Sequence, residues 1–233
     1  QEDIHALYAL DASKYEKEHA RLKIQRIYNL IPSNLENRKK RIIAKSIEDK
    51  KGKRMTDYED EFDYLISAGV ALEVRAIRVP SYPLMENCGK NLLKLYLNDV
   101  GLLTGLFFKN NIQAILQDVR SINLGSVYET VVAQELRAHG FNLYYYDNKN
   151  NGEVDYLIDD ADQLTVLPLE IKSGKDYAIH SALNKLLKIK EYNIHQGFVL
   201  SNEQKVYQEN GITYLPIYDI MFFEPGTKVV GGL

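Results

Sequence analysis

The sequence predicts a two-part α/β (α+β) chain: a helical module over residues 1–90, a sheet-and-helix domain over 91–223, and a tail over 224–233. Three observations carry this. Apolar residues recur at helical spacing through the first part. The second part alternates one strongly periodic helix with short β-branched runs. Between them, the two prolines of Pro80-Ser81-Tyr82-Pro83 bias the chain to extended structure. With 45% apolar and 26% charged residues the chain falls outside the disordered and fibrous classes, and 233 residues suffice to bury a sizeable core.

Within residues 15–30, Leu22, Ile24, Ile27 and Tyr28 set a helical rhythm that Pro32 is expected to stop. Ser33 is the expected N-cap of a second helix holding Leu35, Ile42, Ile43 and Ala44. Thr56 is the expected cap of a third, whose apolar stripe is Tyr58, Phe62, Leu65 and Ile66 and which Ala68-Gly69 ends. Residues 70–79 have the composition of a strand, with a return strand at 93–97. Three short helices followed by a two-stranded ribbon form the outline of a winged helix.

The second part opens its strongest element at 125–139. Val127, Tyr128, Val131, Val132 and Leu136 make the buried stripe and Gly140 suits the C-cap. Strands follow at 141–146, 153–158 and 165–171, the first two separated by a polar turn. A helix is expected at 180–192, strands at 197–200 and 212–214, and a short element at 217–223.

Strand alternation puts Glu153, Asp155 and Leu157 on one face, with Val154, Tyr156 and Ile158 on the other; Glu170 and Lys172 share a face of the next strand. A four-residue loop at 161–164 would set Asp155 opposite Glu170 and Glu153 opposite Lys172. Two carboxylates facing each other repel. A cation between them removes the repulsion, and one or two carboxylates are how proteins hold Mg²⁺. A lysine beside such a cation can orient water, while the metal stabilises charge developing on a phosphate. The competing reading is a set of solvent-facing ion pairs, each worth little. Glu129 falls beside the apolar stripe of helix 125–139, where a carboxylate loses solvent and needs a partner.

Glu153-Val154-Asp155, Leu169-Glu170-Ile171-Lys172-Ser173 and the helix opening Gly125-Ser126-Val127-Tyr128-Glu129 together resemble the PD-(D/E)XK nuclease superfamily. More narrowly, they resemble the C-terminal domain of unknown function of many bacterial and archaeal AAA-type ATPases. The run from Lys94 through Asp99 to Gly101, and Ile217-Tyr218, match that domain's opening and end. The resemblance implies a restriction-endonuclease-like sheet following a winged-helix-like module. It implies that Asp155 and Glu170 bind Mg²⁺ or Mn²⁺, that Lys172 serves the nucleophilic water, and that Glu129 reaches in from its helix. One departure is Val154, which stands where the superfamily's name has proline. Pro168 would break a ladder bond in a central strand and is expected to mark a bulge or a strand start.

Several functions are excluded or left to other parts of a protein. The nearest approach to a phosphate-binding loop, Gly89-Lys90, has Leu84 where the first glycine belongs and Asn91 in place of the hydroxyl residue. ATP is therefore expected only in the upstream ATPase domain that the resemblance implies, and the opening on Gln1 leads us to expect that something lies upstream. The basic cluster Arg38, Lys39, Lys40 and Arg41, assisted by Arg75 and Arg78, suits DNA phosphates; a second cluster lies at 50–54, and the alternative is a solvated face. A net charge of −3 makes any such surface local. The five histidines have no metal-ligand spacing, and Tyr144-Tyr145-Tyr146 is either core or a base-stacking platform. The lone Cys88 forbids an intrachain disulfide, no apolar run spans a bilayer and no leader opens the chain, so a reducing cytoplasm is the expected setting. The leading expectation is a Mg²⁺-dependent nuclease-type phosphodiesterase domain. The alternatives are a non-catalytic DNA-binding or regulatory module on the same fold and a protein-interaction module of the ATPase, with homo-oligomer formation left open.

Overall fold

The computed structural model describes residues 2–11, 18–37, 40–107, 113, 124–174 and 179–226. It is a mixed α/β chain with two compact units, Gln1–Val74 with Lys90–Ile122 and Arg75–Gly89 with Asn123–Leu233.

The first unit holds α1 (Glu2–Asp11), α2 (Glu18–Leu35), α3 (Ala44–Ile47), α4 (Glu59–Ser67) and α5 (Val100–Phe107). It also holds the Ala71–Val74 part of β1 (Ala71–Ile77) and the Lys90–Leu97 part of β2 (Cys88–Leu97). Pro32 does not end the first long helix, because α2 runs three residues past it. Ile24, Ile27, Tyr28, Ile31 and Leu35 form a fully buried stripe along α2, which packs on α4. A proline so near the C-terminus forfeits one hydrogen bond, and continuing the buried stripe to Leu35 outweighs it. Leu22, assigned to the stripe from sequence, is 48% exposed. Ser33 is not a cap; its hydroxyl donates back to Leu30 O at 3.0 Å. The expected second helix shrinks to the single turn α3, and Thr56 yields its capping role to Asp57, whose carboxylate accepts the Arg54 N–H at 3.0 Å.

A polar network ties α2 to α4 and the turn before it. Tyr58 Oη donates to Glu48 Oε2 at 3.1 Å, Lys50 Nζ approaches Glu48 Oε1 at 3.3 Å, and Lys23 Nζ pairs with Glu61 Oε1 at 2.8 Å. Burial pushes the Glu48 carboxyl up, but hydrogen bonds from Lys50 and Tyr58 and the charges of Lys50 and Lys23 overcome it and hold the group below its ordinary 4.5.

In the second unit the Arg75–Ile77 end of β1 lies parallel to β3 (Tyr144–Asn148). β3 then pairs antiparallel with β4 (Gly152–Asp160), and β4 with β5 (Thr165–Lys172). β5 pairs parallel with β6 (Gly197–Ser201), β6 with β8 (Ile212–Pro216), and β7 (Tyr207–Glu209) closes the edge antiparallel to β8. The three-residue β7 carries no sequence pattern of its own. α6 (Gly125–Ala138) packs on β5 and on the 3₁₀ turn Ile217–Phe222, while α7 (Ser181–Leu187) packs on β4 and β5. The helix expected to reach residue 192 stops at Leu187; a separate 3₁₀ turn, Lys190–Tyr192, follows, and Asn193 closes it at φ 52. Tyr144, Tyr145 and Tyr146 are all core, which rules out the base-stacking platform.

Candidate active site at the β4–β5 divergence

The hairpin linking β4 and β5 sets the register of the site. Its four-residue turn is closed by Asp160 Oδ1, which accepts the N–H groups of Asp162 and Gln163 at 3.1 Å. The ladder runs from Asp160–Thr165 to Tyr156–Leu169, in the register that faces Asp155 with Glu170 one step further on. At that step a side chain takes over from the backbone: Asp155 Oδ2 accepts the Ile171 N–H at 2.8 Å. Since alternate amides of a strand point the same way, the N–H missing at Pro168 would have pointed away from β4, toward β6. The β6 ladder starts only at Leu169–Phe198, so Pro168 sits inside β5 without a bulge against β4, contrary to expectation.

The strict alternation expected along β4 is also broken. Tyr144 pairs with Leu157 and Tyr146 with Val154, so Asp155 and Tyr156 together face the one residue Tyr145. This is a β-bulge, which kinks a strand and re-aims a side chain. Val154 and Leu157 consequently line the same core cluster as Tyr144 and Tyr146. The pattern of residue types contains no signal for this extra step.

Glu170 is 7% exposed and its Oε1 accepts from Lys172 Nζ at 2.7 Å. Burial pulls the Lys172 ammonium toward deprotonation. The charge and hydrogen bond of Glu170 oppose it, helped by the charges of Asp155 and Glu129, and the net result lies above the ordinary 10.5. Lys172 is therefore charged at neutral pH, and all three carboxylates act on it.

Glu129 is more deeply placed than the apolar stripe implied. The buried face of α6 consists of Ser126, Val127, Glu129, Thr130, Val132, Ala133 and Leu136, whereas Tyr128 and Val131 are only half-buried. Thr130 Oγ1 donates to Ser126 O at 2.7 Å, which satisfies its hydroxyl and lets this partly polar face turn inward. Glu129 is 5% exposed, and its backbone oxygen accepts from Tyr156 Oη at 2.8 Å. That bond ties α6 to the β4 bulge, a role for Tyr156 that sequence reasoning missed.

The donor chemistry of Asp155 and Glu170, two hard carboxylates beside solvent-reachable Lys172, suits Mg²⁺ or Mn²⁺, which take one or two carboxylates and fill the remaining positions with water. Among the described residues, no group of three or more His, Cys, Asp or Glu side chains is gathered to hold a metal ion.

The basic residues divide between the units. Lys40 and Arg41 are half-buried in the first, Arg75 is half-buried and Arg78 exposed in the second, and Arg38 and Lys39 lie outside the described residues. Three of the histidines have hydrogen-bond partners within the fold: His139 Nδ1 with Phe223 O at 2.6 Å, His180 Nε2 with Tyr214 Oη at 3.1 Å, His5 Nδ1 with Tyr28 Oη at 2.7 Å. Among the described residues no helix is long and apolar enough to cross a membrane.

A mixed α/β unit carrying a carboxylate–lysine cluster where two strands part is the class these features define. Residues 124–220, which include the whole cluster, match the family model of a domain of unknown function, DUF4143, a domain found at the C-terminus of AAA-ATPase-type proteins. Residues 1–113 match a second domain of unknown function, DUF8612. No curated protein and no solved structure matches the chain.

Proposed function

We propose that the second unit is a PD-(D/E)XK-like, Mg²⁺- or Mn²⁺-dependent phosphodiesterase domain acting on nucleic acid, carried at the C-terminal side of an AAA-type ATPase. The observation that supports it most is the buried Glu170 held 2.7 Å from Lys172, with Asp155 and Glu129 acting on the same ammonium. A Glu-x-Lys pair on one strand and an aspartate on a bulge of the next is an arrangement suited to phosphoryl chemistry. Asp155 and Glu170 would hold the cation. The cation, when bound, would supply Lewis acidity toward the scissile phosphate and toward the attacking water. Lys172, released from Glu170, would place its positive charge against the phosphate oxygens while water adds to phosphorus, one P–O ester bond breaks and the water's proton ends on the leaving oxygen. Glu129, in the buried face of α6, keeps that ammonium oriented. The upstream ATPase, DNA as substrate, a winged-helix character for the first unit, phosphate contacts by Lys40, Arg41, Arg75 and Arg78, and a cytoplasmic setting belong to this same proposal.

The Glu170–Lys172 pair also favours a second reading. A site neutralised by its own lysine is compatible with a non-catalytic DNA-binding or regulatory module. Incubating the chain with labelled single- and double-stranded DNA and RNA in Mn²⁺ separates the two. The catalytic reading expects cleavage that E170Q abolishes and E129Q lowers at least roughly tenfold. Salt-sensitive DNA binding with no cleavage of any substrate, by wild type and E170Q alike, would replace it with the binding reading.

A further inference from the structure

We propose that the Lys172 ammonium is the resident cation of this site, and that a divalent metal must displace it from Glu170 to enter. The inference rests on the metal-site reading above and deepens it. Glu170 is nearly excluded from water, so its charge needs a partner within the fold, and the partner present is Lys172 Nζ at 2.7 Å. Asp155 lies one step beyond the Tyr156–Leu169 pair, in register with Glu170, so the hairpin brings a second carboxylate to this pair. Asp155 spends one oxygen on the Ile171 amide, which ties the bulged strand to β5. Removing the ammonium would leave the buried Glu170 carboxylate without the charge of Lys172, with Asp155 opposite it in the strand register, the situation that draws in a divalent cation. The lysine side chain is 26% exposed and its stem is flexible, so it can swing outward without disturbing β5. The surrounding structure is thus arranged to be stable without metal, at the expense of metal affinity.

The test is calorimetric titration of Mn²⁺ into the full chain, without nucleic acid. K172M keeps the aliphatic stem and loses the charge; it should bind Mn²⁺ roughly tenfold or more tightly than wild type, and the gain should vanish in K172M/E170Q. K172R, which keeps the charge, should stay close to wild type. Before metal is added, K172M should melt below wild type, and Mn²⁺ should restore most of the difference. Equal or weaker binding by K172M, or no binding by either protein, overturns the proposal. If K172M does not fold, K172Q takes its place. Failure of both to fold even with Mn²⁺ present also overturns it, because the metal should replace the missing charge. A wild type that binds Mn²⁺ and cleaves nothing would sink the nuclease reading and leave this inference standing.

Discussion

Replacing Asp155 tests whether the β4 bulge is held by a side chain. In D155A the Ile171 N–H loses the carboxylate that accepts it at 2.8 Å, at a point where the β4–β5 ladder has already ended. A hydrogen bond to a charged acceptor contributes about 1.5–3 kcal/mol, and the partly exposed position of Asp155 argues for the lower end, about 1.5 kcal/mol. Losing attraction to Lys172 adds to this cost, while relief of repulsion among the carboxylates subtracts from it. For a chain of this length, the melting temperature should fall by about 3–6 °C. Asparagine still offers an oxygen to the amide, so D155N should lose only about 0.5–1 kcal/mol. Melting curves give the global number, and hydrogen exchange at the Ile171 amide gives the local one, expected to quicken about tenfold in D155A but less in D155N. On the proposed function both variants should lose metal-dependent cleavage equally, so stability and activity would separate between them. Unchanged Ile171 protection in D155A would refute the account of the bulge.

Two further outcomes follow from other parts of the fold. Glu48 has a folded pKa below its ordinary 4.5, so its contribution to stability is present above that value and is lost as pH falls through the folded pKa; E48Q should be less stable than wild type at about pH 7 and converge with it in acid, read as urea midpoints across that range, whereas a constant difference at every pH would refute the assigned network. A methyl group on Gly197 would stand 2.9 Å from Leu183 Cδ1 and 3.3 Å from Pro168 Cγ, so G197A should cost about 1–3 kcal/mol by chemical unfolding, and a neutral effect would mean that Leu183 and Pro168 can give way around Gly197.

The division of labour between sequence and tertiary structure is visible residue by residue. Helix α6, the β4–β5 hairpin with its four-residue turn, and the placing of Glu170 and Lys172 on one face of a strand were legible because each rests on local periodicity or on a two-residue spacing within one strand. The survival of α2 beyond Pro32 was not, because the cost of a proline is local while the burial that overrides it comes from α4. Nor was the inward face of α6, since counting only apolar residues ranked Tyr128 above Ser126 and Thr130, and the Thr130 hydroxyl meets its acceptor, Ser126 O, only once the helix exists. The chain by itself therefore determined which acidic and basic groups could meet and on which elements they ride. Only the tertiary structure decided how they meet: the bulge that re-aims Asp155, the Tyr156 bond that anchors Glu129's helix, and the depth at which Glu170 and Glu129 lie. The reason is that a bulge and a burial depth are set by neighbouring strands and helices distant in sequence, while a hairpin register is set by its own turn.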